Sequence, residues 1–107
     1  MKVMIVTFAF AGATPDELTA YSVEIAPQWA EIPGCLEKTW LLDRATGRCG
    51  GVYKFVDEQA LRAYQASEMW QAVLTSEQFS DFELSEYEMM VEPTRITHGM
   101  PESMATI

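Results

Sequence analysis

The stretch of sequence that decides the fold runs from Pro33 to Phe55 and reads PGCLEKTWLLDRATGRCGGVYKF. Two β-type runs flank a polar turn, Asp43–Arg48, in which Gly47 stands where a positive φ is needed. This arrangement predicts a β-hairpin. With residues 44–47 as the loop, Asp43 faces Arg48, and this pairing sets the register of the two strands.

The predicted register puts a lysine among aromatic side chains. The facing pairs are Trp40 with Gly51, Lys38 with Tyr53, and Leu36 with Phe55. Directly opposed residues point to the same side of a sheet, so these side chains share one face. A lysine between aromatic rings, with a glycine in front of an indole, is more typical of a pocket floor than of a plain core.

The composition is that of one globular domain with an acidic surface. The chain has 107 residues, of which 49% are hydrophobic, and a net charge of −9. This negative charge repels phosphate backbones, so we do not expect nucleic-acid binding. No apolar run reaches the roughly 20 residues of a membrane span, and the first residues lack the cleavage site of a signal peptide. We therefore expect a cytoplasmic protein that makes no membrane contact.

Residues that bind metals or form disulfides are few. The sequence has one histidine, His98, and two cysteines, Cys35 and Cys49, which begin the two hairpin strands. The length of strand between the cysteines is roughly 23 Å, which is beyond the reach of a disulfide. We expect buried free thiols and no metal site. The dinucleotide-binding and phosphate-loop motifs are absent.

The rest of the chain predicts the element order β-α-β-β-α-β. Residues 2–10 are apolar on both alternations, which is typical of a strand buried on both sides. Thr14–Glu17 predicts a capping box at the start of a long helix, which Pro27 is expected to bend. Asp57 predicts the start of a second helix with Leu61 and Tyr64 inside.

The last part of the chain is predicted to contain a short helix, a strand and a tail. Ser67 is a candidate cap for the short helix, and residues 82–92 predict the fourth strand. We therefore expect a single ferredoxin-like α+β domain over residues 1–92 and an extended tail over residues 93–107.

The predicted sheet needs a partner. Its helices can cover one face of the four strands, whereas the first strand is apolar on both alternations. Another copy of the chain, packed sheet against sheet across a two-fold axis, is the economical way to bury the second face. The pattern therefore predicts a homodimer.

Several segments also resemble a known family. They are FAFAG at 8–12, Pro33-Gly34, Lys38-x-Trp40, GGxYxFxDE at 50–58, and Tyr64. Over about residues 3–91 they resemble the YdhR-type monooxygenases of the dimeric α/β-barrel, or antibiotic-biosynthesis monooxygenase-like, superfamily. The resemblance implies a ferredoxin-like antiparallel sheet with helices on one face. It also implies a dimer formed through the sheets, with a cavity in each subunit between sheet and helices.

The resemblance also implies a chemistry. Superfamily members oxidise phenolic or polyketide aromatic substrates with molecular oxygen, using no metal or flavin, while others are polyketide cyclases, isomerases or haem-degrading enzymes. Haem degradation relies on a histidine within the folded domain, which this chain lacks, so we do not expect it. We expect a cofactor-independent monooxygenase acting on a small phenolic, quinone-like or polyketide-like molecule. A cyclase or isomerase and a non-catalytic small-molecule-binding dimer stay open as alternatives.

The candidate site residues follow from this chemistry. Lys38 is a candidate base or anion-stabilising charge, and Tyr53 a candidate hydrogen-bond partner of a substrate oxygen. Candidate substrate-binding rings are Phe10, Trp40, Phe55 and Tyr64. His98 is a further candidate if the tail closes over the pocket. The alternatives are plain core packing for the rings and, for Lys38, an ion pair with Glu86 or Glu88.

Overall fold

The structure, a computed structural model, describes residues 1–101 and shows the predicted ferredoxin-like α+β arrangement. Its strands are β1 (Lys2–Phe10), β2 (Cys35–Asp43), β3 (Arg48–Phe55) and β4 (Phe79–Glu88). Its helices are α1 (Pro15–Ala30), α2 (Glu58–Gln65), α3 (Glu68–Thr75) and α4 (Val91–Ile96). The four strands form one antiparallel sheet in the order β2-β3-β1-β4.

The hairpin has the predicted register over most of its length. Trp40 lies opposite Gly51, and Lys38 lies opposite Tyr53. The predicted pair of Leu36 with Phe55 is wrong, because the register shifts between Cys35 and Glu37 and places Cys35 opposite Phe55. Such a bulge adds one residue to one strand, so Leu36 has no direct partner on β3.

The helices begin where the capping signals predicted. At α1 the Thr14 side chain accepts from the Glu17 backbone N–H at 3.1 Å, and the Glu17 carboxylate accepts from the Thr14 N–H at 2.9 Å. Pro27 lies inside α1. At α2 the Asp57 side chain accepts from the Ala60 N–H, and at α3 the Ser67 side chain accepts from the Trp70 N–H. These caps satisfy N–H groups that have no acceptor within the helix.

The core lies between one face of the sheet and α1, α2 and α3. β1 contributes Met4, Val6 and Phe8 to it. Most of the other buried side chains of this core belong to β3 and the helices. Phe55 of β3 and Leu61 of α2 have no exposed surface. Leu61 and Tyr64 are both buried, as the helical spacing predicted.

The last strand and the tail differ from the prediction. β4 begins at Phe79 and ends at Glu88, earlier than the predicted range 82–92. The tail, which we expected to be extended from residue 93, begins within helix α4. Pro93 is compatible with this short helix because it lies in the first turn, where a backbone N–H has no helical acceptor. Residues 102–107 of the predicted tail lie outside the described residues.

The segment after α4 reaches the second face of the sheet. Lys54 points away from the core, because side chains alternate along a strand and its neighbours Tyr53 and Phe55 are buried in the core. Its ammonium donates to the carbonyl of Gly99 at 2.8 Å, and Met100 and Pro101 are buried. The chain itself therefore covers part of the face for which we expected only a second copy.

The end of α4 carries a strained histidine. His98 has a φ of 63°, its N–H donates to Arg95 O at 3.2 Å, and the Gly99 N–H donates to Thr94 O at 2.8 Å. This is the Schellman arrangement, in which glycine is the preferred residue at the left-handed position.

We expect His98→Gly to raise the free energy of unfolding by about 0.5–1 kcal/mol, because a Cβ in the left-handed region costs energy that glycine avoids. Denaturant unfolding measures the change. The matched control is Thr97→Gly at a φ of −92°, which we expect to destabilise the protein. Destabilisation by both substitutions would contradict the assignment of strain to His98.

Candidate functional site

A cavity with a volume of about 460 Å³ lies between the sheet and the inner face of α1. This is the size range of small-molecule sites. Most of its wall is apolar, with Val6 and Phe8 from β1, Ile25 from α1, and Val73 and Phe79 from the α3–β4 region. Uncharged polar groups come from Thr19, Ser22, Ser76 and Gln78. The cavity therefore suits an apolar or aromatic molecule with a few polar substituents.

Lys38 is the charged residue among the described residues that line this cavity. Its Nζ lies 3.4 Å from the ring centroid of Trp40, and 4.7 Å from the centroids of both Trp29 and Tyr53. All three distances are within the range of cation–π attraction. We refer to Trp29, Trp40 and Tyr53 as the aromatic cage.

The alternative prediction of an ion pair between Lys38 and Glu86 or Glu88 is wrong. Glu86 pairs instead with Arg62 of α2 at 2.8 Å. Lys38 lies on β2 and Glu86 on β4, which are the opposite edges of the sheet, so the two side chains cannot meet. Within residues 1–101, no ion pair includes Lys38.

Gly51 makes room for the lysine. A Cβ added at this position would lie 2.9 Å from Cε of Lys38 and 3.2 Å from Cε1 of Tyr53. The lysine stem therefore lies across the bare backbone of β3 at Gly51, which is the residue that pairs with Trp40. The predicted position of a glycine opposite the indole is confirmed, although Gly51 itself is not among the described residues that line the cavity.

The pKa of the Lys38 ammonium lies close to neutral pH, so both its charged and its neutral form are accessible. Burial lowers the pKa of its ammonium from the ordinary 10.5 to about 7. The ring faces of the aromatic cage favour the charged form and oppose this shift. Burial also raises the pKa of the Cys49 thiol to about 11, so this neighbour stays neutral and supplies no counter-charge at neutral pH.

Hydrogen bonds join the hydroxyl of Tyr53 to the core. It lies 3.2 Å from the Tyr64 hydroxyl, which accepts a bond from Nε1 of Trp29 at 3.0 Å. Burial raises the pKa of both tyrosine hydroxyls, most strongly for Tyr53. Tyr53 therefore stays protonated at neutral pH and can act as a hydrogen-bonding group, not as a base.

The structure brings together three of the predicted site residues. Lys38, Trp40 and Tyr53 line the cavity. Contrary to the prediction, Phe55 and Tyr64 are not part of its wall: both belong to the core, where α2 covers this end of the sheet.

Phe10 and His98 also lie outside the cavity wall. Phe10, at the end of β1, packs against the core as a partly buried residue. His98 follows α4 and immediately precedes Gly99, which is bound to Lys54 on the opposite face of the sheet. The C-terminal segment up to Pro101 therefore does not close His98 over the cavity.

Sequence reasoning missed part of the cavity wall. The helical spacing of the sequence puts Leu18, Tyr21, Ile25 and Trp29 on one face of α1, and all of them line the cavity. The spacing shows which face is turned inwards, but not whether that face packs tightly or borders a space. Gln78 also lines the cavity, and no sequence signal marks it.

We expect Lys38 to make stability depend on pH. Because its folded pKa is about 7 and its ordinary value 10.5, the unfolded chain binds more protons between these values. The free energy of unfolding should therefore rise with pH, by at most about 1.4 kcal/mol per pH unit. The useful window is from about pH 7 to 8.5, since the raised pKa of Cys49 acts in the opposite direction above 9.0.

Denaturant unfolding across this window, compared between the wild type and Lys38→Met, isolates the contribution. The other titrating groups are common to both proteins and cancel in the difference. Parallel pH profiles for the two proteins would show that the ammonium is not desolvated.

The described part of the chain contains neither a cluster of metal ligands nor a helix that could span a membrane. Within residues 1–101, no group of three or more His, Cys, Asp or Glu side chains is placed to hold a metal ion. None of the helices in this range is long and apolar enough to span a membrane. Cys35 and Cys49 are free thiols, as predicted. The prediction that both are buried is wrong for Cys35, which is partly exposed, and is confirmed for Cys49.

The sequence matches one family model. The model, described as "Putative mono-oxygenase ydhR", matches residues 3–100. The match extends beyond residues 3–91, over which the segments resemble this family, and it includes helix α4. No curated protein matches the sequence significantly.

The solved structures that share this fold include a cofactor-independent oxygenase and a heme-degrader. Protein SO0527 from Shewanella oneidensis is 22% identical, with a TM-score of 0.67 over 82% of this chain and 89% of its own. SnoaB from Streptomyces nogalater, a cofactor-independent oxygenase, is 20% identical, with a TM-score of 0.64 over 83% and 92%. The heme-degrader MhuD from Mycobacterium tuberculosis is 18% identical, with a TM-score of 0.66 over 86% and 98%. At these identities the likeness establishes the fold.

Proposed function

The chain belongs to the ydhR mono-oxygenase family, and from this premise we propose that it oxidises a small aromatic substrate with molecular oxygen and without a cofactor. The observation that carries the proposal is the position of Lys38, whose amine lies inside an apolar cavity within an aromatic cage. The cavity thus combines a group that can exchange a proton near neutral pH with surfaces that bind a ring.

The first step is the formation of a substrate anion. Neutral Lys38 removes a proton from a phenol or from a methylene activated by neighbouring rings. The ammonium so formed stays beside the anion, and the cage favours its charge. The apolar wall limits access of water, which strengthens this attraction.

The anion then supplies the electrons that reduce oxygen. For an activated methylene, one atom of dioxygen becomes the new carbonyl oxygen, and the other leaves as water with the two hydrogens of the methylene. Four electrons pass from carbon to oxygen, so the reaction balances without another reductant. Tyr53, held in its protonated form, hydrogen-bonds an oxygen of the substrate.

The fold alone does not distinguish this reaction from haem degradation, since a cofactor-independent oxygenase and a heme-degrader both share it. The side chains around the cavity favour the former. The chain's one histidine, His98, is not among the described residues that line the cavity. Lys38 and the aromatic cage are there instead, and these suit an acidic aromatic ring.

Oxygen consumption by the purified protein tests the proposal. The substrates are a panel of anthrones and hydroquinones, and the protein is first chelated and dialysed exhaustively. We expect enzyme-dependent oxygen uptake that matches the amount of quinone formed, with heat-unfolded protein as the control. Turnover only after flavin or iron is added would overturn the mechanism. Tight binding without turnover would favour the non-catalytic binding protein.

We also propose that the protein is a homodimer formed through the second face of the sheet. Val3 and Ile5 are only half-buried there, and Tyr87, which pairs with Val3, is 56% exposed. Residues up to Pro101 cover part of this face, which leaves the remainder for a second copy.

We expect sedimentation at micromolar concentration to show a dimer. Its interface should bury more than about 1,200 Å² in total, as a stable association requires. Tyr87→Lys should shift it towards the monomer, because a charge in an apolar interface is costly. The control is Val23→Lys at a residue of α1 that is 71% exposed, which should stay dimeric. A wild-type monomer would contradict the proposal.

A further inference from the structure

We propose that Lys38 also captures carbonyl compounds, by condensing with a small aromatic aldehyde in the cavity to form a reversible imine. The inference uses the geometry of the amine and does not depend on oxygenation. It concerns a covalent site on the protein, whereas the proposed oxygenase forms no bond to the lysine.

The first requirement is an amine that nothing else occupies. Within residues 1–101, Lys38 contacts ring faces and takes part in no ion pair. Lys54 shows the usual alternative: its ammonium pairs with Glu37 at 3.1 Å and donates to the carbonyl of Gly99 at 2.8 Å. A carboxylate partner holds a lysine in the charged form, which is not a nucleophile. Burial without such a partner favours the neutral amine.

The second requirement is an environment that favours the product. The nitrogen of the amine forms a bond to the carbonyl carbon, and the carbonyl oxygen leaves as water with the two hydrogens of the amine. The imine then binds one proton and becomes a cation at the position of the original ammonium. Ring faces 3.4 Å and 4.7 Å from that position stabilise a delocalised cation as they do an ammonium.

The third requirement is access and shape. Trp40 is 37% exposed, so the cage lies near the surface and is not sealed in the core. The cavity of about 460 Å³ continues from the cage along α1. Its apolar wall favours an aromatic aldehyde over a hydrated, polar one, since the ring displaces water from apolar surface.

Reductive trapping tests the proposal directly. The protein is incubated with benzaldehyde near neutral pH, reduced with sodium borohydride, digested, and mapped by mass spectrometry. We expect one benzyl group, on Lys38, in at least about tenfold excess over Lys2 or Lys54. Lys54 is bound to Glu37 and to the carbonyl of Gly99, and neither Lys2 nor Lys54 lines the cavity that would hold the aromatic ring. The α-amino group is also reactive in this range and is quantified separately in the same map.

Two variants complete the test. Lys38→Arg keeps a cation in the cage but cannot form an imine, so the benzyl label at position 38 should disappear, and the minor labels on Lys2, Lys54 and the α-amino group should not rise. Lys54→Arg is the matched control and should leave the label on Lys38 unchanged. Circular dichroism verifies that both variants fold. The labelling map of the wild type does not depend on whether either variant folds.

Equal labelling of the three lysines, or a label on Lys38 below that on Lys54, would overturn the proposal. The result is independent of the oxygenase: imine formation without oxygen uptake removes only the proposed function, and oxygen uptake without imine formation removes only this inference.

Discussion

We expect Lys38→Met to lower oxygenation of an aromatic substrate by about 10²–10⁴-fold, which is the contribution typical of a positioned general base. Methionine fills similar space and keeps the apolar contacts with the aromatic cage, but it can neither take a proton nor balance an anion. Steady-state oxygen consumption gives kcat and KM for both proteins. The loss should be mainly in kcat, because the substrate ring still has its stacking surfaces.

The matched control is Lys54→Met, the same chemical change on the opposite face of the sheet. Lys54 is bound to Glu37 and Gly99 and does not line the cavity, so kcat/KM should be unchanged. Equal losses in the two variants would show that the effect is structural and would remove Lys38 from the mechanism.

The pH profile separates the two roles of Lys38. If it acts as the base, kcat/KM of the wild type rises as the pH passes about 7, where the ammonium loses its proton. If it acts only as a fixed positive charge, kcat/KM falls over the same range. Lys38→Arg keeps the charge but not the base, and it should rescue activity only in the second case.

We expect Gly50→Ala to lower the free energy of unfolding by about 3–5 kcal/mol, among the largest effects of a single substitution. A Cβ at this position would lie 1.9 Å from the carbonyl oxygen of Val6 and 2.9 Å from Cα of Thr7. Both atoms belong to the backbone of β1, which is held on both sides by β3 and β4. Neither can move away without breaking the pairing of the strands.

Gly47→Ala is the control for this effect. Gly47 has a φ of 71°, so alanine is strained there, but a Cβ would meet no atom within 4 Å. We expect a loss of about 1 kcal/mol from strain alone. Denaturant unfolding compares the two variants. A loss at Gly50 no larger than that at Gly47 would show that β1 and β3 can separate to accommodate a Cβ.

Local chemistry made much of the fold predictable. A turn with Gly47 set the pairing of Asp43 with Arg48, and the register followed to Lys38 because each pair dictates the next. The helix caps at Thr14 and Asp57 depend on hydrogen bonds to residues three positions away. The bulge after Cys35 was missed because residues 35–37 contain no glycine, and Pro33-Gly34 indicates only where the preceding helix ends.

The aromatic cage was partly predictable for the same reason. Lys38, Trp40 and Tyr53 meet on one face through strand pairing, which can be derived from the sequence once the turn is known. Trp29 joins them from α1, and its contact depends on how the helix crosses the sheet. No local pattern specifies that crossing.

The sequence by itself determined where α1, α2 and α3 begin, the register of the β2–β3 hairpin from its turn to Lys38, and the face that holds Lys38, because these depend on residues close together in the chain. The tertiary structure decided which apolar side chains pack as core and which border a cavity. Phe55 and Trp40 were predicted to lie on the same face of the hairpin. Phe55 is nevertheless fully buried under α2, while Trp40 borders the cavity beside α1. The difference lies in the space between helix and sheet, which results from all their contacts together and from no single residue.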